Sequence, residues 1–267
     1  MHYLLILLIV SFAVSALGWL YFIYFFSLGY GFSISALAIT IAVIFRDVLT
    51  VPTAILCAVM FIFGMRLGLY LMTREKRSTE YRKILYGPDA AKKQPFFVVV
   101  TVWIFCALLY VGQVSPVAFY LANSADGLSV NEVWAWIGAA LMASGVILES
   151  VSDAQKKSAK KKDPKRYVTT GLYKLVRCPN YLGELVIWTG SLLVCIGAAC
   201  SFWQWTIAAI GYIGIVYVMF SGARRLELRQ NVTYGNDPEF QKYISKTPIL
   251  IPFVPIYSLA RHEWLKA

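Results

Sequence analysis

The sequence predicts an all-α, polytopic membrane helix bundle of about seven transmembrane helices. Two observations predict it. Of the 267 residues, 59% are hydrophobic and 15% charged, with a mean hydropathy of +0.63, where a soluble domain carries about 25% charged residues. The apolar residues also fall into runs of about 20, the length that crosses a hydrocarbon core roughly 30 Å thick.

The elements follow in chain order. The first run, YLLILLIVSFAVSALGWLYFIYFF, covers 3–26. No Lys or Arg precedes it, and it outlasts the 7–15-residue apolar stretch of a secretory signal, so it reads as a retained span. Further helices are predicted near 31–45, 48–73, 96–122, 131–151, 182–199 and 202–221. Arg46-Asp47 separates the second from the third, Gly87-Pro88 and Pro95 punctuate the next connection, and Asn123 to Gly127 turn the chain into the fifth.

The basic residues orient the bundle. Seven lie between Arg74 and Lys93, nine between Lys156 and Arg177, and seven between Arg224 and Lys266; of the 25, only Arg46 and Arg66 fall elsewhere. Each cluster follows an odd-numbered helix. Seven spans therefore put all three on one face, which the positive-inside rule makes cytoplasmic, with the N-terminus outside. Topology and contact with anionic headgroups account for the +11 net charge, and clusters split among membrane loops do not support nucleic-acid binding. Five cysteines sit mostly in apolar runs without zinc-type spacing, and the two histidines, His2 and His262, lie at opposite ends. No metal site is predicted.

Arg66, Glu149, Asp153 and Glu184 lie in or beside apolar runs, where ionisable groups are costly and usually face a polar cavity or a partner. Arg66 is also placed to snorkel to the interface, and Glu184 sits favourably in a first helical turn. Glu149 and Asp153 share one helical face if the fifth helix continues that far. The stretch from Glu149 to Glu184 combines carboxylates, dense cations and then Gly171, Tyr173, Arg177, Asn180 and Tyr181. These are the groups that a diphosphate, a ribose and a flat aromatic nucleus require. Neither a GxGxxG nor a Walker sequence is present, which excludes a Rossmann or P-loop site.

The run GLYKLVRCPNYLGE, 171–184, resembles the signature of the steroid 5α-reductase C-terminal superfamily, whose bacterial-type branch reads GLW-x-x-SRHPNYxGE. SDAQKK upstream and EFQKYISKTPILIPFVP downstream resemble other segments of that family, so the likeness covers about 149–256; before 130 it rests on topology and RLGLYLMTRE. The resemblance implies an oxidoreductase of lipid metabolism, 3-oxo-5α-steroid 4-dehydrogenase-like. It would use NADPH to reduce a carbon–carbon double bond conjugated to a carbonyl, in a steroid or other lipid drawn from the bilayer. It implies a single membrane domain, 1–130 forming the substrate-side helices and 131–267 the cofactor-binding half. No obligate protein partner is implied. The membrane would be the endoplasmic reticulum in a eukaryote or the inner membrane in a bacterium.

Carried over by residue, Asp153 and Asn180 would bind the nucleotide and Glu184 its nicotinamide end, while Lys157, Lys160 and Arg177 would neutralise phosphates. Tyr167, Arg225 and Tyr243 match at less regular spacing, and Arg66 matches an arginine of the third helix. Glu184, Tyr181 and Arg66 form the candidate catalytic set. Two positions depart from the family. Cys178 replaces the signature histidine, and Phe63 stands where the steroid reductases carry a carbonyl-polarising Tyr; for their Glu, Asp47 is a weak match. Hydride transfer places negative charge on the carbonyl oxygen, where a donor gives the largest stabilisation. Tyr70, Tyr110, Tyr181 or a water held by Glu149 could supply it.

Two other readings stand beside this one. Membrane methyltransferases of the isoprenylcysteine or phospholipid type, which use S-adenosylmethionine, carry a similar R-H-P-x-Y-x-G sequence, and RRLELR resembles another of their features. Asn180, Glu184 and the lysine-rich stretch argue against them. A non-catalytic lipid-binding protein of the same fold is opposed by the intact NYLGE and by the cost of intramembrane acids.

Overall fold

The structure is a computed structural model that describes residues 2–77 and 94–265. The basic residues Arg82, Lys83, Lys92 and Lys93, the Gly87-Pro88 pair and Lys266 lie outside the described residues. Among those described, the architecture is all-helical, without strands. The helices are α1 (His2–Ser15), α2 (Leu28–Ile44), α3 (Val51–Arg77), α4 (Phe96–Ala125), α5 (Glu132–Lys162), α6 (Pro179–Gly197), α7 (Phe202–Tyr234) and the short α8 (Pro238–Ile244). Among the described residues, six segments are long and apolar enough to cross a membrane: His2–Trp19, Val51–Arg74 and the four helices α4 to α7. At 17 residues α2 is shorter, still within the range of about 17–25 residues that spans a bilayer. Mid-helix residues such as Ile147, Ile210 and Ile213 are exposed, as lipid-facing side chains are. The chain is an integral, multi-pass membrane protein.

Three helix limits differ from the sequence expectation. The first run is not one helix over 3–26: the α-helix stops at Ser15, and two 3-10 turns, Ala16–Trp19 and Phe22–Phe26, follow on either side of an extended Tyr21. The Phe25 ring occupies the space that a side chain on Gly18 would fill, so the chain doubles back there. At its other end α5 runs on from 151 to Lys162, because Ala154, Gln155, Ala159 and the lysines are good helix formers and Lys160 to Lys162 face the negative end of the dipole. Likewise α7 continues past 221 to Tyr234.

The chain forms two compact units, Met1–Ala139 with Gly190–Tyr212, and Ala140–Thr189 with Ile213–Ala267. In the first, α1 packs on α2 and α4, and α2 on α3. From Tyr110 to Asn123, α4 is buried on every side. Pro116 interrupts its hydrogen-bond ladder, leaving the Gly112 carbonyl without its usual N–H. The Ser115 hydroxyl donates to that oxygen at 2.9 Å, and Ser191 of α6 donates to the Gln113 carbonyl at 3.0 Å. Neighbouring side chains commonly make such repairs around a membrane proline.

In the second unit α5 and α6 pack so closely that a Cβ on Gly183 would stand 2.9 Å from the Gly145 carbonyl and 2.8 Å from the Glu149 Cβ. Gly138 meets Gly190 in the same manner in the first unit. These glycines recur two turns apart on each helix, the small-residue seam by which membrane helices approach.

Candidate functional site

The three segments that carry the family resemblance are bonded to one another in the second unit. Gly171 adopts a left-handed φ of +63° against the Gln155 side chain, whose amide oxygen accepts from the Leu172 N–H at 2.9 Å. This ties the SDAQKK stretch of α5 to the GLYKL turn. Tyr173 donates to the Ser152 carbonyl at 3.3 Å, and Tyr243 donates to the Tyr173 carbonyl at 2.7 Å. The backbone N–H groups of Arg177 and Cys178 donate to Pro248 and Ile249 at 2.9 and 3.0 Å, which joins the signature to the closing element. Pro179 then opens α6, a first-turn position where its missing N–H costs nothing.

On this frame Glu149 and Glu184 are buried, at 3% and 7% exposure. The Gly145–Gly183 crossing places Glu149 against Gly183, the residue before Glu184. Because α5 continues through this region, Asp153 shares the Glu149 face one turn on and is half-buried. Asn180 and Tyr181 are half-buried at the start of α6, with the Tyr181 ring 3.2–3.4 Å from where a Cβ on Gly222 of α7 would lie. Arg66, on α3, belongs to the first unit, as do Tyr70 and Tyr110. There the Tyr110 hydroxyl donates to the Phe25 carbonyl.

The cations divide into bound and free. Arg177 pairs with Glu227 of α7 at 3.1 Å, their side chains 3% and 2% exposed, and also donates to the Tyr257 carbonyl at 2.5 Å. The second Glu227 oxygen accepts from the Leu259 N–H at 2.7 Å. Lys160 donates to the Pro164 and Arg166 carbonyls at 3.0 and 2.7 Å and so holds the turn that ends α5. Lys157 and Arg225 are exposed. Beside Arg225, Arg224 is buried and donates to the Ala260 carbonyl at 3.2 Å. From sequence, Arg224 is one of the tail charges and Glu227 enters only within RRLELR; their spacing of three, one helical turn, is the available signal. Burial pushes the Cys178 thiol up to about 12, so it stays protonated at neutral pH and is no nucleophile.

Tyr167 packs edge-on against Phe240 and Tyr234 and stacks on Tyr243 at 6.1 Å. Burial raises the Tyr243 and Tyr167 pKa values, keeping both as neutral donors. Tyr167 and Tyr243 form one wall of a cleft of about 310 Å³ that Arg166, Thr169, Glu239, Lys242, Lys246 and Thr247 complete. Arg166 is held by Glu239 at 2.8 Å, leaving Lys242 and Lys246 as the cations available to a ligand. From sequence, both lie in the EFQKYISKTP segment without an assigned role; the signal is their spacing of four. The Asp237 carboxylate caps α8, which carries Lys242, by accepting from the Glu239 and Phe240 N–H groups at 2.8 and 3.4 Å. Asp237→Ala is expected to cost about 1 kcal/mol, read as a lower melting temperature in detergent. Among the described residues no group of three or more His, Cys, Asp or Glu is placed to hold a metal ion.

A family model described as a protein of unknown function, DUF1295, matches residues 26–247. No curated protein and no solved structure matches the chain.

Proposed function

Because the chain belongs to the DUF1295 family, a steroid 5α-reductase-like family, we propose that it is an NADPH-dependent membrane oxidoreductase. It reduces a carbon–carbon double bond conjugated to a carbonyl in a steroid or other lipid. The observation that carries this reading is the pair of buried carboxylates, Glu149 and Glu184, brought to one glycine crossing of two membrane helices. Acids in such a place are expensive, and they persist where a ligand or a proton path needs them.

The residues fit the cofactor in part. The cleft's volume lies at the lower end of the range of about 300–1,000 Å³ for small-molecule sites, room for a phosphorylated ribose rather than a whole dinucleotide. Lys242 and Lys246 suit its phosphates, with the Thr169 and Thr247 hydroxyls on the same walls. They take over in this proposal from Lys160, whose ammonium donates to the Pro164 and Arg166 carbonyls, and from buried Arg177, whose Nη2 serves Glu227 and the Tyr257 carbonyl. Asp153 suits a ribose hydroxyl, and Asn180 and Glu184 a nicotinamide carboxamide. NADPH, when bound, supplies the hydride. The basic clusters are proposed to face the cytoplasm, where the nucleotide is available.

Thermal melting of the purified protein with NADPH, NADH and S-adenosylmethionine in parallel tests the proposal. Ligand at about 100 times its dissociation constant adds roughly 2.7 kcal/mol, so a shift with NADPH is expected. Asn180→Ala and Glu184→Ala should each weaken it at least about tenfold while leaving the unliganded protein folded. A shift with S-adenosylmethionine alone makes the protein a methyltransferase instead. Undiminished NADPH binding in both variants removes the site.

A further inference from the structure

Gln113 lies in the buried half of α4 at 3% exposure, and neither its amide oxygen nor its amide nitrogen has a hydrogen-bond partner among the described residues. A buried amide without a partner is costly, on the order of 2–7 kcal/mol depending on the reference state, and hydrocarbon outside the bundle offers no water to relieve it. The surrounding polar groups make the exception plain. Ser115 satisfies the carbonyl freed by Pro116, and Ser191 reaches the Gln113 backbone. The other α4 amide, Asn123, donates to the Ala198 carbonyl at 2.6 Å and exchanges bonds with Gln204 at 3.2 and 2.9 Å. Gln113 is thus left out of the hydrogen bonds that satisfy the Gly112 and Gln113 carbonyls and the Asn123 amide.

Its setting within the first unit is aromatic. One turn before it on α4, the Tyr110 ring lies 5.2 Å from that of Tyr30, which in turn lies 6.0 Å from Phe63. One turn after Tyr30, on α2, the Ser33 hydroxyl is likewise buried without a partner. A flat, apolar molecule with a single polar atom matches such surroundings. A primary amide can donate two hydrogens, and a carbonyl oxygen carried by a lipid accepts without bringing charge into the membrane interior.

We propose that the Gln113 side chain is the polar anchor of a binding site for a carbonyl-bearing lipid within the first unit. This deepens the reductase reading, on which the identity of that lipid as substrate rests, by naming the group that holds its carbonyl. An amide kept in an apolar site for a ligand leaves a signature that a structural amide does not: its removal helps the empty protein and harms the loaded one.

The test is thermal melting of wild type, Gln113→Leu and the unbranched Gln113→Met. Each is measured alone, with NADPH, and with a steroidal enone and a fatty acid methyl ester, each lipid beside a hydrocarbon analogue lacking its carbonyl. Both variants should melt at or above wild type when empty. At least one carbonyl lipid should shift wild type more than its analogue does. Both variants should bind that lipid at least tenfold more weakly while their NADPH shift stays unchanged. Lower melting of both empty variants overturns the proposal, because it assigns the amide a structural partner. Equal shifts from carbonyl lipids and their analogues in wild type overturn it too, as does undiminished lipid binding in the variants. Loss of the NADPH shift from wild type sinks the reductase reading instead, and the lipid arms still decide Gln113.

Discussion

Arg177→Leu is expected to lower stability by about 3–5 kcal/mol, the cost of breaking a buried ion pair on one side. The size follows from what stays behind. Glu227 would keep only the Leu259 N–H for a carboxylate 2% exposed, and the Tyr257 carbonyl would lose its donor. Removing both charges in Arg177→Leu/Glu227→Leu should recover much of the loss, because the second change takes away the stranded anion. The two single effects should therefore fail to add by about 2 kcal/mol or more, as expected for contacting residues. Thermal melting in detergent measures all three variants. A single-variant cost within about 0.5 kcal/mol, the range of surface substitutions, would contradict the burial of this pair. The same experiment separates two roles for Arg177. If it held phosphate rather than Glu227, its loss would weaken nucleotide binding without touching the empty protein.

The second large effect is Gly183→Val. Overpacking costs about 1–3 kcal/mol and sometimes more, and here the obstructing atoms include the Gly145 carbonyl oxygen and the Glu149 amide nitrogen, at 2.9 Å from the new Cβ. Backbone cannot rotate aside as a side chain does, so α5 and α6 must separate. A loss of about 3 kcal/mol or more is expected, together with loss of NADPH binding, since Glu149 and Glu184 flank the crossing. Ile147→Ala, on the exposed face of α5, serves as the control, with little change in either readout.

Much of the fold was legible because burial in lipid imposes a length on each apolar run. The helices α1 to α7 lie within or over those runs, although α1 has 14 residues and α2 17. What lipid does not dictate was not legible. Within the run at 3–26 every residue is compatible with a helix in hydrocarbon, and only the seat of Phe25 over Gly18 shows why the helix stops at Ser15. At the far end of α5 the apolar signal ends near 151, whereas helix propensity continues through the lysines to Lys162. The site divides similarly. Buried Glu149 and Glu184 stood out as acids in apolar sequence, whereas the glycines that bring them together did not, although each helix carries them two turns apart. The pairing of Arg177 with Glu227 joins residues fifty positions apart, which no local pattern announces. Gln113 was a single amide in an apolar run; its lack of a partner is a fact about packing.

The continuation of α5 beyond its apolar part bears on how the protein meets a charged bilayer. From Lys156 to Lys162 the axis rises about 9 Å, at about 1.5 Å per residue, close to the Debye length of about 8 Å at physiological ionic strength. A limp chain of lysines would lie flat on an anionic leaflet and feel its surface potential uniformly. A helix standing off the leaflet would hold Lys156, Lys157, Lys161 and Lys162 at different heights, so the attraction would fade outwards, with Lys160 tied to the Pro164 and Arg166 carbonyls. The helix thereby turns a run of identical charges into a graded electrostatic ruler, set by the pitch of the backbone.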